Sequence, residues 1–146
     1  MVVPPPLLLV GAIIVSYLAS VVAPGLRLGG PLLSLLGFGI IVVGMGLFVW
    51  SVKLFQQHTT TFDPRGKPSS LVTVGPYRIS RNPIYLGFLL IALGTALVFA
   101  NVLAFVGPLV FFFFNNTFVI PFEEDMLTKI FGSSYQTYLK RTRRWL

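Results

Sequence analysis

Four apolar runs, broken by short turns and one long polar segment, set the architecture that this chain predicts. They cover about residues 5–23, 31–55, 83–100 and 102–120, close to or above the roughly 20 residues a helix needs to cross hydrocarbon. Pro24-Gly25 ends the first run, and Asn101 is the expected turn between the third and fourth. Gly107-Pro108 inside the fourth run predicts a kink or a locally loosened backbone. The second run contains GFGIIVVGMG, in which Gly37 and Gly44, and likewise Gly39 and Gly46, stand seven residues apart. That spacing keeps small residues on one face, where a neighbouring helix can approach closely. No strand precedes these glycines, so they do not read as a dinucleotide-binding loop.

Residues 56–82, QQHTTTFDPRGKPSSLVTVGPYRISRN, form the long polar segment. Pro64, Pro68, Pro76, Gly66 and Gly75 argue against a regular helix there. Loops of this length are usually functional or disordered. From Pro121 to the end the pattern is helical and interfacial, with Gly132 dividing it. Tyr135, Tyr138 and Leu139 share a face, and Lys140, Arg141, Arg143 and Arg144 supply positive charge. The pattern is that of a helix lying on a membrane surface. The expectation is an all-α integral membrane protein, residues 1–146 forming one membrane domain of four spans, a loop and an interfacial tail.

Composition sharpens this reading. Hydrophobic residues make up 55% of the chain and charged residues 10%, against about 25% charged in soluble domains. The net charge of +7 would suggest nucleic acid in a soluble protein. Here the basic residues flank apolar runs, which points to lipid headgroups and topology control, not nucleic acid. With four spans, Arg27 alone falls on one side of the membrane and the other ten of the eleven Lys and Arg fall with the loop and tail. That asymmetry predicts a cytoplasmic loop and carboxy-terminus. The first run lacks a basic leader and is followed by further spans, so it reads as a retained helix. With no cysteine, one histidine and four acids, a zinc or di-metal site is not expected.

Three polar groupings carry the candidate chemistry. In GPYRISRNPIYLG, Asn82-Pro83 suits the start of a helix, Asn as cap and Pro as first residue. Arg78 and Arg81 suit a membrane rim, as do Tyr77 and Tyr85. The same helix start, with free amides and nearby arginines, also suits a carboxylate or phosphate. Glu123, Glu124 and Asp125 are three of the four acids; they complement a helix dipole, or answer cations. Asn115, Asn116 and Thr117 are either interhelical glue or the wall of a polar cavity. A helix continuing past Pro121 would put Asn116 and Glu123 on one face. His58, the lone histidine, is a loop residue able to accept a proton.

LVTVGPYRISRNPIYLG, followed by EEDMLTKIFGSSYQTY, resembles the isoprenylcysteine carboxyl methyltransferase family, in particular its small prokaryotic members and their phospholipid methyltransferase relatives. The resemblance covers about residues 56–140. It implies S-adenosylmethionine bound between the membrane helices and the cytoplasmic segments. Its contacts would fall on Ser69, Ser70, Leu71, Val72, Tyr77, Asn82, Pro83, Ile84, Tyr85 and Glu123. It implies methyl transfer to a lipophilic substrate that enters from the bilayer, an isoprenylcysteine-like carboxylate or alternatively a phospholipid amine. A non-catalytic membrane binding or assembly protein is the reading from a different class. A carboxylate nucleophile needs no base; an amine or hydroxyl would need one, with Glu124 and His58 as candidates. The sequence departs from the prenylcysteine enzymes in having Asn82 where they carry His. Residues 118–120 are apolar where those enzymes carry a basic residue.

Overall fold

The computed structural model describes residues 4–58 and 68–146. The threonines of the His-Thr-Thr-Thr run, Arg65 and Lys67 lie outside the described residues. Among the described residues six α-helices follow one another: α1 Pro5–Val22, α2 Pro31–Gln57, α3 Pro83–Phe99, α4 Val106–Phe114, α5 Ile120–Phe131 and α6 Ser133–Arg141. Only isolated bridges, Arg27 with Asn101 and Ser80 with Arg143, are of extended type among the described residues. α1, α2 and the continuous helical stretch Val102–Phe131 are long and apolar enough to cross a membrane, and α3 is a shorter apolar helix. The chain is an all-α integral membrane protein.

α3 is the centre of the fold. Nine of its residues are buried, against three in α2, so lipid faces most of α2 while protein surrounds α3. The two helices meet through glycine. A Cβ on Gly44 would lie 2.7 Å from the Gly87 carbonyl oxygen, and one on Gly37 2.6 Å from that of Gly94. The two contacts are reciprocal, because Gly87 and Gly94 face Gly44 and Gly37 at the same range. Without a hydrophobic drive between helices in lipid, this close approach gives the pair its dispersion contact. Gly39 and Gly46 have open space instead. Their shared spacing with Gly37 and Gly44 does not give them a shared face, since two residues along a helix turn the direction by about 200°.

The fourth span is irregular in two places. Residues Val102–Phe105 form a 3-10 turn, so Pro108 falls in the first turn of α4, where its missing N–H is harmless. Gly107 packs directly on Ser16 and Ala12 of α1. A second irregularity lies further on, in a π-helical turn at Asn115–Val119. Pro121 follows that turn, and its ring would collide with a carbonyl four residues back in a regular helix. The wider turn absorbs the conflict, and the helix continues through Pro121 as α5 rather than ending at residue 120. Asn101 is the expected turn. Its Oδ1 accepts from the Leu103 amide at 2.8 Å, and its Nδ2 donates to the Ala23 carbonyl at 2.8 Å.

Gly132, at φ 54°, separates α5 from α6. The tyrosine face of α6 is turned inward, with Tyr135 and Tyr138 buried, so the expected membrane-lying face is instead covered by the protein. The Tyr138 hydroxyl donates to the Tyr77 carbonyl at 2.6 Å. This bond satisfies a polar group that lipid could not.

Gly44→Ala should destabilise the protein by about 1–3 kcal/mol through overpacking against backbone. Gly39→Ala should be neutral or stabilising by up to about 1 kcal/mol through helix propensity. Unfolding in mixed micelles would show whether the two substitutions differ in sign.

Candidate functional site

The carboxy-terminal end of α2, the segment Pro68–Val72, the 3-10 turn Gly75–Arg78, the start of α3, and α5 and α6 converge on one pocket. It encloses about 870 Å³ of empty space, open mouth included. Of the expected cofactor contacts, Ser70, Leu71, Val72, Tyr77, Asn82, Pro83, Ile84, Tyr85 and Glu123 line it; Ser69 does not. Of the two expected base candidates, Glu124 lines it and His58 does not. The His58 ring Nδ1 lies 2.8 Å from the Leu54 carbonyl, and its own carbonyl accepts from Ser70 Oγ at 3.1 Å. His58 therefore ends α2 and tethers the loop.

The two glutamates face different partners. The Tyr85 hydroxyl donates to Glu123 Oε1 at 2.6 Å, which joins α3 to α5 across the pocket. Glu124 takes two arginines: Arg81 Nη2 at 3.0 Å, and Arg144, whose Nη2 donates to Oε2 at 2.6 Å and whose Nε donates to Oε1 at 3.2 Å. Paired carboxylate and guanidinium groups of this kind form strong, directional bonds. Asp125, by contrast, pairs with Lys129 at 2.6 Å on the exposed side.

Asn82 precedes α3 as expected, with Pro83 as the first helical residue, but its side chain makes no cap. Instead its Nδ2 donates to the Arg144 carbonyl at 2.9 Å. The π-helical turn also breaks the face expected to join Asn116 to Glu123. Asn116 Oδ1 accepts from Trp145 Nε1 at 3.0 Å and from Arg144 Nη1 at 3.3 Å, so this amide binds the tail. Asn115 is buried, its Nδ2 donating to the Phe111 carbonyl at 2.7 Å.

Four of the five tyrosines line the pocket: Tyr77, Tyr85, Tyr135 and Tyr138. Burial pushes the Tyr135 hydroxyl up to about 12, with nearby Glu124 adding to the effect. Burial likewise lifts Tyr77 and Tyr138 above the usual phenol range. All three thus stay neutral, offering aromatic faces and O–H donors. The Tyr77 hydroxyl is buried beside Ser51 without a hydrogen bond of standard geometry. Arg81 Nε is also buried and unpaired among the described residues. A pocket with carboxylate, tyrosine faces and a free guanidinium N–H suits a ligand carrying both a cation and an anion.

Sequence reasoning placed Arg144 among membrane-facing charges and gave Trp145 no role. No local pattern marks either, because both reach the site by returning from the chain's far end.

An all-helical membrane protein with a polar pocket at one end of its spans is the class so defined. The phospholipid methyltransferase family matches residues 32–134, well over half of the chain, and the chain belongs to that family. It is 40% identical over 78 residues to a probable protein-S-isoprenylcysteine O-methyltransferase of Oryza sativa subsp. indica, covering 52% of this chain and 40% of that protein. It is 40% identical over 82 residues to the protein-S-isoprenylcysteine O-methyltransferase of Schizosaccharomyces pombe, covering 53% of this chain and 33% of the relative. An uncharacterized protein of Haemophilus influenzae is 41% identical over 63 residues, 43% of this chain and its own whole length. The chain thus spans about 40% or less of the two named methyltransferases. No solved structure matches the chain significantly.

Glu124→Ala would leave Arg81 and Arg144 facing each other without a counter-charge, an expected loss of about 3–5 kcal/mol. Asp125→Ala breaks only an exposed pair and should change stability by less than about 0.5 kcal/mol. Thermal unfolding of the two variants in detergent would check the contrast.

Proposed function

We propose that the chain is an S-adenosylmethionine-dependent methyltransferase that modifies a lipophilic substrate entering from the bilayer. The observation that carries this reading is the convergence of nine of the ten expected cofactor contacts on one pocket, in a chain of the phospholipid methyltransferase family. The residues fit the group. Arg81, with its unpaired Nε, suits the cofactor's carboxylate, and Glu123 with the tyrosine faces suits its sulfonium. When bound, the cofactor supplies a methyl group on a positively charged sulfur. The chain's own residues orient the reactants and exclude water, which is the main requirement of an in-line transfer.

The pocket favours a carboxylate acceptor, as in an isoprenylcysteine. Glu124 is held by two arginines and His58 lies outside the pocket lining, so neither base candidate stands uncommitted beside a ligand. A carboxylate needs no base. The names of the two plant and yeast relatives support this reading. A phospholipid amine is the second reading, carried by the family itself. Eight of the nine described Lys and Arg residues fall toward the pocket's end of the spans, which supports a cytoplasmic pocket by the positive-inside rule.

Calorimetry in detergent should show micromolar S-adenosylmethionine binding by the wild type, with Glu123→Ala and Tyr85→Ala both losing it. Folded wild type that binds no cofactor in detergent or nanodiscs would overturn the proposal. A binding-competent protein that methylates a farnesylcysteine analogue but not phosphatidylethanolamine would decide for the carboxylate acceptor, and the converse for the amine.

A further inference from the structure

Residues Thr142–Trp145 do not trail from the molecule; they form an extended segment fastened along Ser80–Asn82. The Arg81 amide donates to the Arg143 carbonyl at 2.9 Å. Ser80 Oγ at 3.2 Å and Asn82 Nδ2 at 2.9 Å both donate to the Arg144 carbonyl. Trp145 lies tilted against Phe112, ring centroids 5.0 Å apart, and donates to Asn116. All three guanidinium nitrogens of Arg144 are engaged, Nε and Nη2 on Glu124 and Nη1 on Asn116. Arg144 is not among the residues lining the pocket, whereas Glu124 and Arg81 are.

That order of contacts has a direction. Every Arg144 nitrogen is already engaged and Arg144 lies outside the pocket lining; Glu124 is shared, and of these three residues Arg81 is the one that keeps a buried unpaired donor, its Nε, among the described residues. We infer that Arg144 is a positioning residue: it fixes Glu124, which fixes the Arg81 guanidinium so that its free N–H meets an anionic group of the ligand. The loop before α3 and the segment after α6, more than sixty residues apart in sequence, are thereby joined into one ligand-binding unit. Asn82 belongs to the same unit by holding the Arg144 backbone. This inference rests on the proposed cofactor only for its binding readout.

The test measures S-adenosylmethionine affinity for wild type, Arg81→Ala, Arg144→Ala, Arg144→Lys and the Arg81→Ala/Arg144→Ala double variant. Loss of one charge-assisted contact predicts about tenfold weaker binding for each alanine variant. Arg144→Lys, which keeps charge but not the fork, should recover part of the loss. The double variant should bind no more weakly than Arg81→Ala alone, because Arg144 acts through Arg81. Wild-type affinity in Arg144→Ala, or additive losses in the double variant, would overturn the inference. If Arg144→Ala does not fold, Arg144→Lys and Glu124→Gln carry the test. A ligand-free readout separates this inference from the cofactor assignment: trypsin cleavage after Arg143 and Arg144, followed by mass spectrometry. Cleavage should be slow in the wild type and clearly faster in Glu124→Gln. Unchanged protection in Glu124→Gln overturns the inference, whereas a wild type that binds no cofactor overturns only the methyltransferase reading.

Discussion

A carboxylate at the end of a membrane helix must be answered by cations, and Glu124 is answered from both sides in sequence. Arg81 reaches it from the polar segment before α3, and Arg144 from the segment after α6. Taking such charges out of water is expensive, and the attraction recovers that expense only with good geometry and further hydrogen bonds. Here the bidentate Arg144 fork and its bonds to Asn116 supply them. The walls of the pocket depend on this one constraint, since it fixes the loop, α5 and the tail against one another.

The remainder of the fold provides a rigid base for that end. α3 lies closely against α2 through two glycine contacts. The Tyr85 to Glu123 hydrogen bond then ties α3 to α5 just inside the polar network. The π-helical turn contributes by rotating Asn116 away from Glu123, so the amide serves the tail while the carboxylate serves the pocket. A regular helix through Pro121 would have set the two on one face.

The aromatic faces of the pocket come from three separate stretches, with Tyr77 before α3, Tyr85 within it, and Tyr135 and Tyr138 on α6. Burial keeps Tyr77, Tyr135 and Tyr138 neutral. This arrangement offers a soft cation two kinds of partner, carboxylate oxygen and ring face.

Hydropathy by itself determined the helical class, the near extents of the spans and the end of the molecule that carries the polar chemistry. It could do so because a bilayer permits few alternatives to an apolar helix. The Gly37 and Gly44 face was also legible, as a spacing, but Gly39 and Gly46 were not separable from it without the partner helix. Resemblance to a family located Tyr77, Tyr85 and Glu123 in one neighbourhood. Only the tertiary structure decided that Asn82 holds a backbone rather than capping α3. It alone decided that Glu124 is bound by two arginines, and that the α6 tyrosines face protein rather than lipid. Those outcomes depend on contacts between residues some 20 to 60 positions apart, and no local period or propensity encodes which distant partner a polar side chain will find.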